Sequence, residues 1–153
     1  MSVTLLTRDL PGTGGRLRDD PADFLVEELP QYEPCGDGDH LYLRIEKRGV
    51  PTLDAVQRIA RGLGIAPRDV GYAGLKDARA VAVQTLSVEH VDEARAEAAL
   101  AAVPGVRLLA MRRHRNKLRL GHLAGNRFVI RVRGVVPGAL ERARAILAVL
   151  DAR

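Results

Sequence analysis

Tryptophan is absent from the 153 residues, and two Phe and three Tyr make aromatics only 3% of the chain. A core must therefore come from Val, Leu, Ile and Ala. Cysteine occurs once, at Cys35. That excludes an internal disulfide and fits a reducing cytosol. No apolar run approaches the roughly 20 residues that span a bilayer, so no membrane partner is expected. The start, Met1 to Asp9, has no basic segment ahead of a long apolar core, so no signal peptide is evident and a cytoplasmic location is expected. Metal ligands are sparse as well. His114 and His122 have no Cys or carboxylate nearby, and Asp37-Gly38-Asp39-His40 lacks the remaining oxygen ligands of a calcium loop. Neither metal nor other cofactor is expected.

Acidic residues are missing from Ala98 to Leu140. The net charge of +5 is therefore uneven: −4 over residues 1–50, −1 over 51–97 and +10 over 98–153. Clustered Lys and Arg release counterions from a nucleic-acid backbone, so the block suggests a phosphate-bearing partner. A generic basic surface is the plain alternative. Hydrophobic residues at 46% and charged residues at 28% fit one globular domain with a proper core over residues 1–153.

The patterning interleaves strands and helices. Residues 1–22 are rich in Gly, Pro and Asp and read as an irregular lead-in, with a short strand near Arg16–Arg18. Asp23–Glu28 reads as a strand. His40–Lys47 alternates apolar and polar, with Leu41, Leu43 and Ile45 facing a core. Thr52 stands as an N-cap ahead of a helix that carries Leu53, Val56, Ile59, Ala60 and Leu63 on one face and ends at Gly62–Gly64. A strand over Ala80–Val88 and a helix over Asp92–Leu100 follow. Val106–Met111 and Phe128–Arg133 are strands on either side of a basic segment. Pro137–Ala152 is a final helix with Leu140, Ala143, Ile146, Leu147 and Leu150 on one face. The order predicts an α+β domain, a mixed and largely antiparallel sheet with helices packed on one face.

Two stretches carry candidate chemistry. In Val70-Gly71-Tyr72-Ala73-Gly74-Leu75-Lys76-Asp77 an apolar run enters a glycine-punctuated turn and presents Lys76 beside Asp77. A neighbouring ammonium favours an ionised carboxylate, which suits a nucleophile. From spacing alone, a Lys-Asp turn is more often simply solvated. In Arg113–Phe128, Arg113, Arg115, Lys117 and Arg119 can neutralise phosphates, Asn126 can pair with a base edge, and Phe128 offers a ring to an unstacked base. Phe128 also opens an alternating strand, a position that is commonly core.

Gly74-Leu75-Lys76-Asp77-Ala78-Arg79-Ala80-Val81-Ala82-Val83-Gln84 resembles the G-x-K-D-x-x-A-x-T-x-Q signature of the TruD family of tRNA pseudouridine synthases, with Ala82 in place of the family's Thr. The Arg113–Phe128 run, Asp23–Glu28 and Gly38–Arg44 are similar to that family too, with Lys47 and Thr52 in step. The four blocks cover residues 15–133 almost continuously. The resemblance implies half of a pseudouridine-synthase-like catalytic domain that isomerises uridine without cofactor, at uridine 13 of tRNA on family grounds. It implies that Asp77 is catalytic, with Lys76 positioning and charge-balancing it. Asn126 and Phe128 would hold and stack the flipped base, Phe24 and Glu28 would shape the pocket floor, and Arg113, Arg115, Lys117 and Arg119 would grip the RNA backbone. Family members run to about twice this length by the same resemblance. The chain is thus expected to be an N-terminal portion, lacking the C-terminal half and an inserted domain, with an open sheet edge or exposed apolar face. Readings as a non-catalytic RNA-binding module, or as an inactive truncated remnant, stay open.

Overall fold

A computed structural model describes residues 5–152. In chain order the elements are β1 (Arg16–Leu17), β2 (Phe24–Pro30), β3 (His40–Arg48), α1 (Thr52–Leu63), β4 (Gly71–Tyr72) and β5 (Val81–Glu89). Then come α2 (Glu93–Ala101), β6 (Val106–His114), β7 (Leu123–Ile130), β8 (Val132–Arg133) and α3 (Ala139–Asp151). The main sheet runs β6-β3-β5-β2-β7, with β4 paired to β5 and a separate small ribbon of β1 and β8. Only β2 and β5 pair in parallel among the described strands. The expected α+β class with a mixed, mostly antiparallel sheet is therefore the observed one.

The alternation of residues 40–47 places β3 at the centre of the packing. Leu41, Leu43 and Ile45 meet Leu86 and Val88 of β5 and the inner faces of α1 and α2, including Val56, Ile59, Leu63 and Leu100. Burying a side chain of this size stabilises by about 1.5–3 kcal/mol, so a core without Trp is adequate. α1 ends where Gly64 adopts a left-handed φ of 67°, as its glycine suggests. α2 starts at Asp92, whose carboxylate accepts from the Arg95 N–H.

Three local expectations differ from the structure. Thr52 does not cap α1. Pro51 occupies that place, and the Thr52 hydroxyl is turned to the 74–77 turn instead. The strands expected at Val106–Met111 and Phe128–Arg133 reach into the basic segment, because β6 runs on to His114 and β7 begins at Leu123. Strand pairing with β3 and β2 overrides the weak local pattern there. The predicted inner face of the last helix is not enclosed: α3 has no fully buried residue, Ala143 and Ile146 are half-buried, and Leu140, Leu147 and Leu150 are exposed. At the end of the sheet, β7 leaves Phe128, Val129 and Ile130 exposed. The resemblance implies an open edge or an exposed apolar face.

Candidate active site

The 73–80 turn is tied down from several sides before any ligand is considered. The Lys76 N–H donates to the Thr52 hydroxyl at 3.0 Å, and that hydroxyl donates to Gln84 Oε1 at 2.9 Å. The amide of Gln84 reaches back to the Gly74 carbonyl at 3.5 Å. Lys47 Nζ donates to the carbonyls of Asp77 at 3.0 Å and Lys76 at 3.4 Å. The basic segment touches the same turn, since the Gly121 N–H donates to the Ala73 carbonyl at 2.9 Å. Before it, Gly71 is obligatory: a Cβ there would lie 2.3 Å from both the Leu118 carbonyl and Ser87 Oγ.

Lys76 and Asp77 diverge. The Lys76 ammonium turns inward and meets Glu28 Oε2 at 3.0 Å, with side-chain exposures of 4% and 3%. Glu28 Oε1 also accepts from the Thr85 N–H at 3.2 Å. The Asp77 carboxylate turns outward, its side chain 41% exposed, and its ion-pair partner is Arg18 at 3.1 Å rather than Lys76. Arg18 sits in the lead-in that reads as irregular. It is a non-glycine residue with φ of 62°, so its neighbours hold it in a sparsely populated conformation.

Arg18 connects the two constellations. Its guanidinium carbon lies 4.1 Å from the centre of the Phe24 ring. Phe24 meets Phe128 edge to face, ring centres 5.9 Å apart. Asp77, Arg18, Phe24 and Phe128 thus form one continuous set of contacts. The β2–β7 register pairs Val26 with Phe128 and Glu28 with Asn126, and antiparallel partners share a sheet face. Asn126 therefore stands on the same face as Phe128 and Glu28. Phe128 is 51% exposed, which decides against the reading of it as core and leaves ring surface for a ligand. Phe24 is buried and belongs to a small cluster with Val26, Ala80 and Ala82. Ala82, where the family signature has Thr, is fully enclosed there.

The cationic residues differ in availability. Arg115 is held by Asp37 at 2.8 Å, a contact that raises the Arg115 pKa and lowers that of Asp37. Lys117 donates to the Arg68 carbonyl at 2.7 Å. Arg113 and Arg119 have no carboxylate within 4.0 Å among the described residues. No group of three or more potential metal-ligating side chains occurs among the described residues. Among the described residues no helix is long and apolar enough to cross a membrane. Arg18 and Lys47 are the members of the site that the motifs alone leave unassigned.

The entire chain, residues 1–153, matches a family model described as tRNA pseudouridine synthase D (TruD). It is 60% identical over 149 residues to the tRNA pseudouridine synthase D of Geobacter metallireducens, covering 97% of this chain and 36% of that protein. The tRNA pseudouridine synthase D of Anaeromyxobacter dehalogenans is 55% identical over 151 residues, covering 99% of this chain and 42% of the relative. The crystal structure of a putative tRNA pseudouridine synthase D from Methanosarcina mazei superposes with a TM-score of 0.76 at 29% identity, over 96% of this chain and 33% of that one. The chain spans 36% to 42% of the length of these two curated relatives.

Proposed function

Since the chain belongs to the TruD family of tRNA pseudouridine synthases, we propose that it carries the catalytic aspartate and base-stacking side of a uridine isomerase acting on tRNA. The observation that supports this best is the unbroken contact set from an exposed carboxylate to an exposed ring, Asp77–Arg18–Phe24–Phe128. On this reading the Asp77 carboxylate acts at ribose C1′ while the N1–C1′ bond of uridine breaks. The detached uracil stays against Phe128, within reach of Asn126, and turns. A C5–C1′ bond then forms, N1 gains a proton and C5 releases one, so the net change is an isomerisation. No redox partner or phosphate donor enters the balance. Holding the reactants together replaces much of the entropy that a free base would have to surrender. A base inside a folded RNA must first leave its stack, which an exposed ring with cationic surroundings favours.

Uridine 13 of tRNA is the substrate position we propose, on family grounds. We further propose that the catalytic unit includes the region of its relatives that this chain does not span. The exposed strand β7 and the unburied apolar residues of α3 support such an extension. The test is release of tritium from tRNA labelled at uridine C5, with the chain alone and with the remaining region of a relative supplied. No release in either case, while the full-length relative works, overturns the proposal.

Arg18 has a defined part in it: its guanidinium fixes the direction of the Asp77 carboxylate against the Phe24 ring. Arg18→Ala keeps a Cβ at the same strained backbone position, so it isolates the guanidinium. Single-turnover release is expected to fall about 10- to 100-fold, the scale of a misplaced reacting group. An unchanged rate in that assay would remove Arg18 from the site.

RNA binding is expected to be salt-sensitive. Four phosphate contacts would lower affinity about a hundredfold between 50 and 200 mM salt. Arg119→Ala should reduce the slope of that dependence by about one, because no carboxylate lies within 4.0 Å of Arg119 among the described residues. Arg115→Ala should reduce it less, because Asp37 already competes for that guanidinium. Affinity titrations against salt for the three proteins check both statements, and a flat affinity counts against RNA as the ligand.

A further inference from the structure

We infer that Lys47 is a positioning residue for Asp77: its buried ammonium holds the backbone carbonyls of the turn and so aims the carboxylate. The inference rests on the isomerase reading above and adds to it a group that never touches substrate.

Lys47 follows Leu41, Leu43 and Ile45 on the inward-facing side of β3, and it is paired with Ala82 of β5 and Val106 of β6. It is only 1% exposed, among the largest fully enclosed side chains of the described residues. A lysine has three N–H donors. All three are accounted for by carbonyls: Val50 at 2.8 Å, Asp77 at 3.0 Å and Lys76 at 3.4 Å. No carboxylate lies within 4.0 Å of it among the described residues. An enclosed cation without a counter-ion is costly, and a methionine of similar volume would avoid that cost. Its presence is accounted for by what it holds together.

Those three carbonyls belong to two separate stretches. Val50 lies in the turn that leads into α1, and residues 76 and 77 form the tip that carries the carboxylate. Thr52, Gln84 and Glu28 reach only Gly74 and Lys76. Lys47 is the one of these buried ties that reaches the backbone of Asp77. The Asp77 side chain leaves the same residue toward Arg18, so a shift of the carbonyl is a shift of the reacting group.

The charge state of Lys47 offers a readout. Burial pushes its pKa down to about 8; the charge of Asp77 opposes that shift and the charge of Lys76 adds to it. The other charged groups at the turn are Glu28 from β2, paired with Lys76, and Arg18, paired with Asp77. Above its pKa the amine keeps two N–H groups for three carbonyls and carries no charge. The turn should then loosen while the RNA-binding surface is unaffected.

The experiment compares the wild-type protein with Lys47→Met and Lys47→Arg. The single-turnover rate on C5-tritiated tRNA, RNA affinity and amide hydrogen exchange at residues 76–79 are each followed from pH 7 to 9.5. The wild-type rate is expected to fall with a midpoint near pH 8, with affinity steady. Lys47→Met is expected to be about a hundredfold slower, to lose the fall near pH 8, and to exchange its 76–79 amides faster. Lys47→Arg, permanently charged, should recover part of the rate and also lose that fall. A Lys47→Met rate within threefold of wild type overturns the proposal. If that variant does not fold, a flat wild-type profile between pH 7 and 9.5 overturns it and a fall near pH 8 supports it. If the wild-type protein releases no tritium either alone or with the remaining region of a relative supplied, while the full-length relative works, the isomerase reading fails separately. Amide exchange then still decides whether Lys47 holds the turn: unchanged exchange in Lys47→Met overturns that, and faster exchange supports it.

Discussion

Asp77→Asn is expected to lower tritium release from C5-labelled tRNA by about a thousandfold or more, with RNA affinity held within about twofold. The substitution is nearly isosteric, and the ties that hold the turn do not use the carboxyl group. Lys47 binds the carbonyls of residues 76 and 77, and Thr52 binds the amide of Lys76. An asparagine therefore occupies the same place, still able to accept from Arg18 through its amide oxygen. It is lost as a nucleophile and as an anion at ribose C1′. The prediction separates the two functional readings. A non-catalytic RNA-binding module shows no turnover to lose, and its binding ignores residue 77. A variant that keeps a tenth of the wild-type rate would remove Asp77 from the chemistry.

The largest effect on stability is expected at Glu28. Glu28→Ala leaves the Lys76 ammonium enclosed without its counter-ion, and breaking a buried pair in this way costs about 3–5 kcal/mol. It also strips an acceptor from the Thr85 N–H. Replacing both partners together, as Glu28→Leu with Lys76→Met, should recover most of that loss, because neither charge is then stranded. Chemical denaturation of Glu28→Leu, Lys76→Met and the double variant measures the coupling. Additive losses would mean that the pair contributes nothing beyond its separate side chains. The double variant is still expected to be slow in the tritium assay, since Lys76 belongs to the turn that presents Asp77.

Much of the architecture was legible because it rests on period and punctuation. The alternation of residues 40–47 and the helical spacing of 53–63 each produced the element they predict. The candidate site was partly legible for a different reason. Asp77, Asn126 and Phe128 lie in motifs; Asn126 and Phe128 share one face of β7, and contacts through Arg18 and Phe24 link Asp77 to Phe128. What patterning could not supply was direction. Adjacent residues in a turn point apart, so the adjacency of Lys76 and Asp77 said nothing about which cation faces the carboxylate. Thr52 illustrates the same gap. Its sequence position suits a helix cap, but a better acceptor task exists across space, and local rules do not register it. Arg18 came from a glycine- and aspartate-rich stretch with no periodicity at all. Lys47 did leave a signal: it continues the inward-facing parity of Leu41, Leu43 and Ile45. A lysine on the core side of an alternating strand marks a buried electrostatic task.

The left-handed backbone at Arg18 sets two selection pressures against each other. A non-glycine residue there costs on the order of 1 kcal/mol, which glycine would not incur. A screen that rewards heat resistance alone should therefore enrich glycine at position 18, and with it proteins that melt later and turn over more slowly.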